Sequence, residues 1–159
     1  MDEYGLFYRN WKGKIFNYLT RLSGDHSLAG EIMQETFTRH LAHYGEANRD
    51  IPLLYRIARN LFMDEMRGTR KHQEATETKG QEPSIDQDHY LMIRSEYRRV
   101  LEAMKFLNAD EREILALVVG DDLSYREIAD ILGISEMNVK VKVHRARLNL
   151  REKLKEENG

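Results

Sequence analysis

The sequence predicts an all-α chain of two small helical domains joined by an acidic flexible linker, the C-terminal domain ending in a helix-turn-helix. Three observations lead there. Apolar residues recur every three or four positions along most of the 159 residues, the pattern of helices that each bury one stripe. Two stretches, Asn108 to Glu111 and Ser124 to Glu127, have capping-box spacing directly ahead of apolar runs. The longest strand-like alternation, Val139-Lys140-Val141-Lys142-Val143, lies between Ser135 and a long helical repeat and so belongs to a helix.

The elements follow in order. Phe7, Trp11, Ile15, Tyr18, Leu19 and Leu22 predict a first helix over 6–22, broken by Ser23-Gly24-Asp25. Asp25 or Ser27 can cap a second helix that ends near Gly45. Its inner side is expected to be Ala29, Ile32, Met33, Thr36, Phe37, Leu41 and Tyr44, and its outer side Glu31, Gln34, Glu35 and Arg39. After the polar loop 46–50, Asp50 is a good N-cap for a third helix with Pro52 in its first turn. Leu54, Ile57, Ala58, Leu61 and Met66 are its expected core. Arg56, Arg59, Arg67, Arg70 and Lys71 face Asp64 and Glu65 on its polar side.

Between His72 and Asp88 the apolar pattern stops. Glu74, Glu77, Glu82, Asp86 and Asp88 stand against a single base, Lys79, which is the composition of a linker. The expected division is 1–72, linker 73–88, and 89–159. Periodicity resumes with Tyr90, Ile93, Tyr97, Val100, Leu101 and Met104. The Asn108 capping box then opens a helix with Ile114, Leu115, Leu117 and Val118 that stops at Gly120.

Ser124 and Glu127 start the next helix, and Gly133 sits where a C-terminal cap needs positive φ. Ser135 can cap the last helix, whose buried positions are expected to be Val139, Val143, Ala146, Leu150 and Leu154. The other faces of that helix carry Lys140, Lys142, Arg145, Arg147 and Arg151 with His144, and no acid from Asn138 to Arg151. In a chain whose net charge is −2, this is a local concentration of positive charge. On the second helix of a helix-turn-helix it begins in the turns that enter the major groove of DNA.

Composition bounds the rest. With 41% hydrophobic and 33% charged residues the chain can bury cores and stay solvated. It has no cysteine, which excludes disulfides, thiolate catalysis and cysteine zinc sites. No run approaches the roughly 20 apolar residues of a membrane span, and MDEYGLFYRNWKGK is no signal peptide, so a cytoplasmic location is expected. Hydrolase motifs, phosphate loops and dinucleotide glycines are absent, and the chain is not expected to be an enzyme. His40 and His43 with Glu31 and Glu35 are the one set that suggests a metal cluster. The two histidines lie one turn apart without further converging ligands, so neither metal nor cofactor is expected.

With the helices in place, three stretches resemble one family. DDLSYREIADILGISEMNVKVKVHRARLNLREKL is similar to the promoter-recognising C-terminal domain of bacterial sigma factors, especially the extracytoplasmic-function group. SLAGEIMQETFTRHLAHY resembles the family's polymerase-gripping helix, and IPLLYRIARNLFMDEMR its helix that reads and melts the downstream promoter element. The resemblance implies an alternative sigma factor that binds core RNA polymerase, at its clamp helices and flap, and directs initiation at particular promoters. It also implies control by an anti-sigma factor, often one held at a membrane.

Carried over position by position, the resemblance places Glu31, Gln34, Glu35 and Phe37 on the clamp helices. Asn60 falls where the opened nontemplate strand is held. The loop 47–50, with Asn48 and Arg49, falls where a pocket captures a flipped base, and Arg56, Arg59, Arg67 and Arg70 would hold phosphates. Ser124 and Tyr125 would anchor a phosphate of the upstream element. Glu136, Met137, Asn138, Lys140, Val141, Lys142, His144 and Arg145 face its bases and backbone.

Two departures stand out. Leu53-Leu54-Tyr55 replaces a common tryptophan-leucine-tyrosine, and the loop before it is short. Met137 and Val141 replace smaller residues with apolar groups suited to thymine methyls. The alternative is an ordinary helix-turn-helix regulator that binds duplex DNA without polymerase, against which the ETF and LYRIARN stretches speak.

Overall fold

The first unit is built on α1 (Glu3–Ser23), which packs against both α2 (His26–Tyr44) and α3 (Ile51–His72). The computed structural model describes residues 3–72, 95–120 and 122–158. The chain divides into two units, residues 1–83 and 84–159. The linker 73–88 lies outside the described residues, as do Tyr90 and Ile93 and the side chains of Arg70 and Lys71. Among the described residues there are seven helices and no strand, and Val139 to Val143 are helical.

In the first unit Asp25 is the N-cap of α2, its carboxylate accepting the Leu28 N–H at 3.1 Å. Asp50 does the same for α3, accepting from Leu53 N–H at 3.2 Å. Gly45 closes α2 with φ 86°, a conformation other residues rarely adopt. Ile15, Tyr18, Leu19, Leu22, Ala29, Met33, Leu54 and Ala58 form the core, with Tyr18 edge-on to Tyr55 at 5.2 Å.

The inner stripe of α2 differs from the sequence expectation. Leu41 and Tyr44 are exposed, and His40, with none of its surface exposed, takes the inner place. Burying an imidazole instead of a leucine is costly unless both nitrogens find partners, and here they do. Nδ1 lies 3.1 Å from the Tyr4 hydroxyl and Nε2 3.3 Å from Asn48 Oδ1. In α3, Phe62 is buried where Ile57 and Leu61 are half-buried and Met66 is exposed.

The second unit gathers α4 (Ser95–Met104), α5 (Ala109–Val118) and α6 (Tyr125–Leu132) around α7 (Glu136–Asn158). Both expected capping boxes are present, at Asn108 with Glu111 and at Ser124 with Glu127. Arg112 reaches back to the end of α4, donating to the carbonyls of Met104 at 3.2 Å and Leu107 at 2.9 Å. A guanidinium there suits the negative end of the helix dipole.

Val139, Val143 and Ala146 are buried as expected, but Leu150 and Leu154 are only half-buried. The 23 residues of α7 span about 35 Å, whereas the 10 residues of α4 and of α5 span about 15 Å each, so among the described residues the last turns of α7 have less to pack against.

Burial pushes the His40 imidazole below its ordinary value, against the opposing hydrogen bond from Asn48, while Arg49 lowers it further and Asp50 raises it. An unfolded histidine takes its proton near pH 6.5 and the folded one at lower pH, so in that window the unfolded chain holds the extra proton. His40 therefore contributes stability above about pH 6.5 that is lost as the pH falls. The melting temperature of the first unit should drop on acidification through this window, and His40→Phe should flatten the drop. Circular-dichroism melts from about pH 8 to about pH 5 check this; an equal drop in the variant would sink the assignment.

Candidate nucleic-acid interface

The helix-turn-helix is set by short-range bonds. Ser124 Oγ accepts the Glu127 N–H at 3.1 Å, and Glu127 Oε1 accepts the Ser124 N–H at 2.8 Å. At the other end of α6, Gly133 is left-handed with φ 70° and donates to the Ala129 carbonyl at 2.8 Å. Ser135 then caps α7, its hydroxyl accepting the Asn138 N–H at 3.0 Å. These caps turn the chain between α6 and α7 within three residues, Gly133, Ile134 and Ser135.

Burial of Val139, Val143 and Ala146 turns the rest of α7 outward. Glu136, Asn138, Lys140, His144 and Arg145 are exposed, and so are Arg147 and Arg151. Met137 is 65% exposed and Val141 39%; they lie one turn apart, on the side of α7 away from its core stripe. Tyr125, at the start of α6, is half-buried, and Ser124 beside it is exposed.

Lys142 is half-buried and its Nζ lies 3.7 Å from Asp110 Oδ2 at the start of α5. With Arg145, Asn108 and Glu111 this pair lines a shallow groove between α5 and α7. Asn149 donates to Glu111 on the same side. A pair this open to solvent contributes about 0–1 kcal/mol.

In the first unit α2 presents Glu31, Gln34 and Glu35 to solvent. Gln34 donates to the Tyr8 hydroxyl at 3.3 Å, and Glu35 pairs with Arg39 at 2.9 Å. Phe37 departs from that face. It is 4% exposed, edge-on to Tyr8 at 4.9 Å and near Phe7 at 6.2 Å, so its ring belongs to the core. Its place on the stripe of Met33 and His40 explains this.

The loop 45–50 is tied down at several points. Asn48 Oδ1 faces His40 and accepts the Asp50 N–H at 2.9 Å. Arg49 is exposed, yet it donates to the carbonyls of Glu46 and Asn48 and lies over the Phe7 ring at 4.7 Å. Beyond the loop, exposed Asn60 shares a groove of about 190 Å³ with Arg39, His43, Tyr44, Ile57 and Asp64. Arg67 is exposed and pairs with Asp64, while Arg56 and Arg59 are half-buried on α3. The histidines and acids singled out on α2 do not converge: His40 is buried, His43 is exposed, and Glu35 is paired with Arg39.

A helical unit followed along the chain by a unit whose helix-turn-helix presents a basic helix has the geometry of a DNA-binding protein. Residues 7–72 match the family model described as Sigma-70 region 2 and residues 97–150 that described as Sigma-70, region 4. The chain belongs to the extracytoplasmic-function (ECF) RNA polymerase sigma factors. It is 31% identical over 153 residues to the ECF RNA polymerase sigma factor SigM of Bacillus subtilis, covering 91% of this chain and 90% of that one. To the RNA polymerase sigma factor YlaC of the same organism it is 30% identical, over 92% of this chain and 89% of that one. Among solved structures it superposes on the sigma factor RpoE of Bartonella quintana, with a TM-score of 0.76 and 24% identity over 98% of both chains. That likeness shows a common fold.

The caps that hold α6 and α7 should be measurable in stability. Ser124→Ala and Gly133→Ala are each expected to destabilise the second unit by about 1 kcal/mol, one through the missing cap and the other through left-handed strain alone. A methyl at Gly133 would meet nothing within 4 Å. Urea unfolding of the full chain checks both values.

Proposed function

We propose that this sigma factor grips core RNA polymerase at the clamp helices through Glu31, Gln34 and Glu35, with the second unit against the flap. The first unit opens and reads the downstream element with α3 and the loop before it. Asn60 and the groove around it face the nontemplate strand; Arg56, Arg59 and Arg67 lie along the backbone. The second unit sets α7 in the major groove of the upstream element, with Ser124 and Tyr125 anchoring a phosphate at the start of α6.

The observation that carries this is the division of α7 into a buried apolar stripe and an exposed remainder free of acids from Asn138 to Arg151. Lys140, Lys142 and Arg145 then hold phosphates or guanine edges, and the polymerase supplies the chemistry. Glu136, Asn138 and His144 flank them on the same exposed turns. Among the described residues no helix is long and apolar enough to cross a membrane. The Bartonella RpoE is bound to the anti-sigma factor NepR, and a related fold, CnrH, to the cytosolic domain of CnrY. Such complexes support control of this chain by an anti-sigma factor; in the proposed reading that partner, free or anchored at a membrane, covers these surfaces.

Sizing-column co-elution with bacterial core polymerase, followed by run-off transcription, tests the assignment. Lys142→Ala with Arg145→Ala should leave co-elution intact and weaken initiation, by about 1–3 kcal/mol for each side chain that no longer reaches a base edge. Glu31→Lys with Glu35→Lys should abolish co-elution first. Tight binding of the chain alone to duplex DNA, without co-elution, would favour an ordinary regulator instead.

Exposed Met137 and Val141 are suited to thymine methyls. Replacing thymine by uracil in the upstream element removes only those methyls. Initiation should fall about fourfold per methyl, at about 0.8 kcal/mol per buried carbon. Met137→Ala with Val141→Ala should be indifferent to the exchange; equal sensitivity in this variant and the parent would refute the interaction.

A further inference from the structure

His40 is a buried polar hub in the core of the first unit. Its ring stacks on Phe7 at 5.5 Å and on Tyr4 at 5.8 Å, and none of its surface is exposed. It can therefore touch neither DNA nor polymerase directly. Both of its nitrogens point at partners on other segments, Tyr4 on α1 and Asn48 in the loop.

The bond to Asn48 fixes the tautomer of the ring. Asn48 Oδ1 already accepts the Asp50 N–H at 2.9 Å, so it is an acceptor toward His40, and Nε2 carries the proton. In the neutral ring Nδ1 is then an acceptor, and the single proton of the Tyr4 hydroxyl lies between it, 3.1 Å away, and the Phe37 carbonyl at 3.2 Å. The chain of bonds continues outward. Asn48 orients Asp50, and Asp50 caps α3 through the Leu53 N–H at 3.2 Å. The next loop residue, Arg49, lies over the Phe7 ring at 4.7 Å, the same ring on which His40 stacks. One buried imidazole thus connects α1, α2, the loop and the first turn of α3.

We infer that His40 is the positioning residue of the loop 45–50: through Asn48 it holds the loop and the start of α3 in the geometry that reads the downstream promoter element. The inference rests on the proposed function, since a loop that reads no DNA would need no such latch. A loop with only five residues between Gly45 and Ile51 has little core of its own. Its order comes from this bond, the Asp50 cap and the Arg49 stack. Base capture needs a preformed cavity, because ordering the loop at the moment of binding would subtract from affinity.

The test is run-off transcription with core polymerase and the full-length chain. The readout is discrimination, the ratio of initiation at the cognate promoter to initiation at one with a single base changed in the downstream element. The same ratio is measured for the upstream element. His40→Phe keeps the ring and its stacking but removes both nitrogens. It should lower downstream discrimination about fivefold to tenfold, the scale of one hydrogen bond, and leave upstream discrimination and co-elution unchanged.

Asn48→Ala should lower the downstream ratio as well, and the double variant should be no worse than the more impaired single one, because both cut the same bond. Unchanged discrimination in His40→Phe, or effects that add in the double variant, would overturn the latch. Additive effects would mean that Asn48 acts on DNA independently of His40. Should His40→Phe fail to melt cooperatively, His40→Leu replaces it in the cycle, removing the same bond to Asn48 with a smaller apolar side chain, with the same expected non-additivity. A parent chain that neither co-elutes with polymerase nor yields a defined transcript would overturn the proposed function and the latch together, a result distinct from loss of downstream discrimination alone.

Discussion

With no sheet among the described residues over which to spread apolar side chains, each helix must bury a single stripe, and the faces left over become working surfaces. The energies set that order. Burying one valine or leucine is worth roughly 1.5–3 kcal/mol, while an exposed ion pair contributes about 0–1 kcal/mol. Val139, Val143 and Ala146 therefore decide how α7 rotates, and the lysines and arginines take whatever outward positions remain. Evolution can rewrite those positions without disturbing the core. Met137 and Val141 are such positions, both exposed and one turn apart.

How much of the molecule is legible in its sequence follows from the range of the interactions involved. The two capping boxes, the left-handed Gly133 and the Ser135 cap all act within four residues, and each can be read from the residues themselves. So can the acid-free outer face of α7. The exchange of His40 for Leu41 on the inner side of α2 cannot, because hydrophobicity alone favours leucine. What offsets the burial of the histidine is Tyr4, 36 positions earlier, and Asn48, 8 positions later. The family resemblance gives Phe37 a surface role, although its spacing from Met33 and His40 already places it on the inner stripe. Lys142 looks free in the sequence because Asp110 sits on a different helix, and the thinner burial of Leu150 and Leu154 depends on how short the neighbouring helices are.

The two candidate DNA surfaces use different physics. On α7 the charges are presented on a rigid helix, and affinity there should depend on salt because each phosphate interaction releases counterions. Around the loop 45–50 the polar groups are mostly engaged with one another: Asn48 with His40 and Asp50, Arg49 with the carbonyls of Glu46 and Asn48. Such a surface is held in one shape by its own bonds, so a ligand meeting it finds the loop already ordered.

Trp11 is the only tryptophan in the chain, and it stands edge-on to Tyr55 across the packing of α1 on α3, with the Lys14 ammonium 4.4 Å from its ring centre. Indole emission is sensitive to such neighbours, and the second unit has no indole to add to it. The protein thus carries its own optical label on one half. Indole emission follows the first unit alone, while a global signal such as ellipticity sums over both, so the two together would show whether the halves respond to a partner at the same moment or in turn.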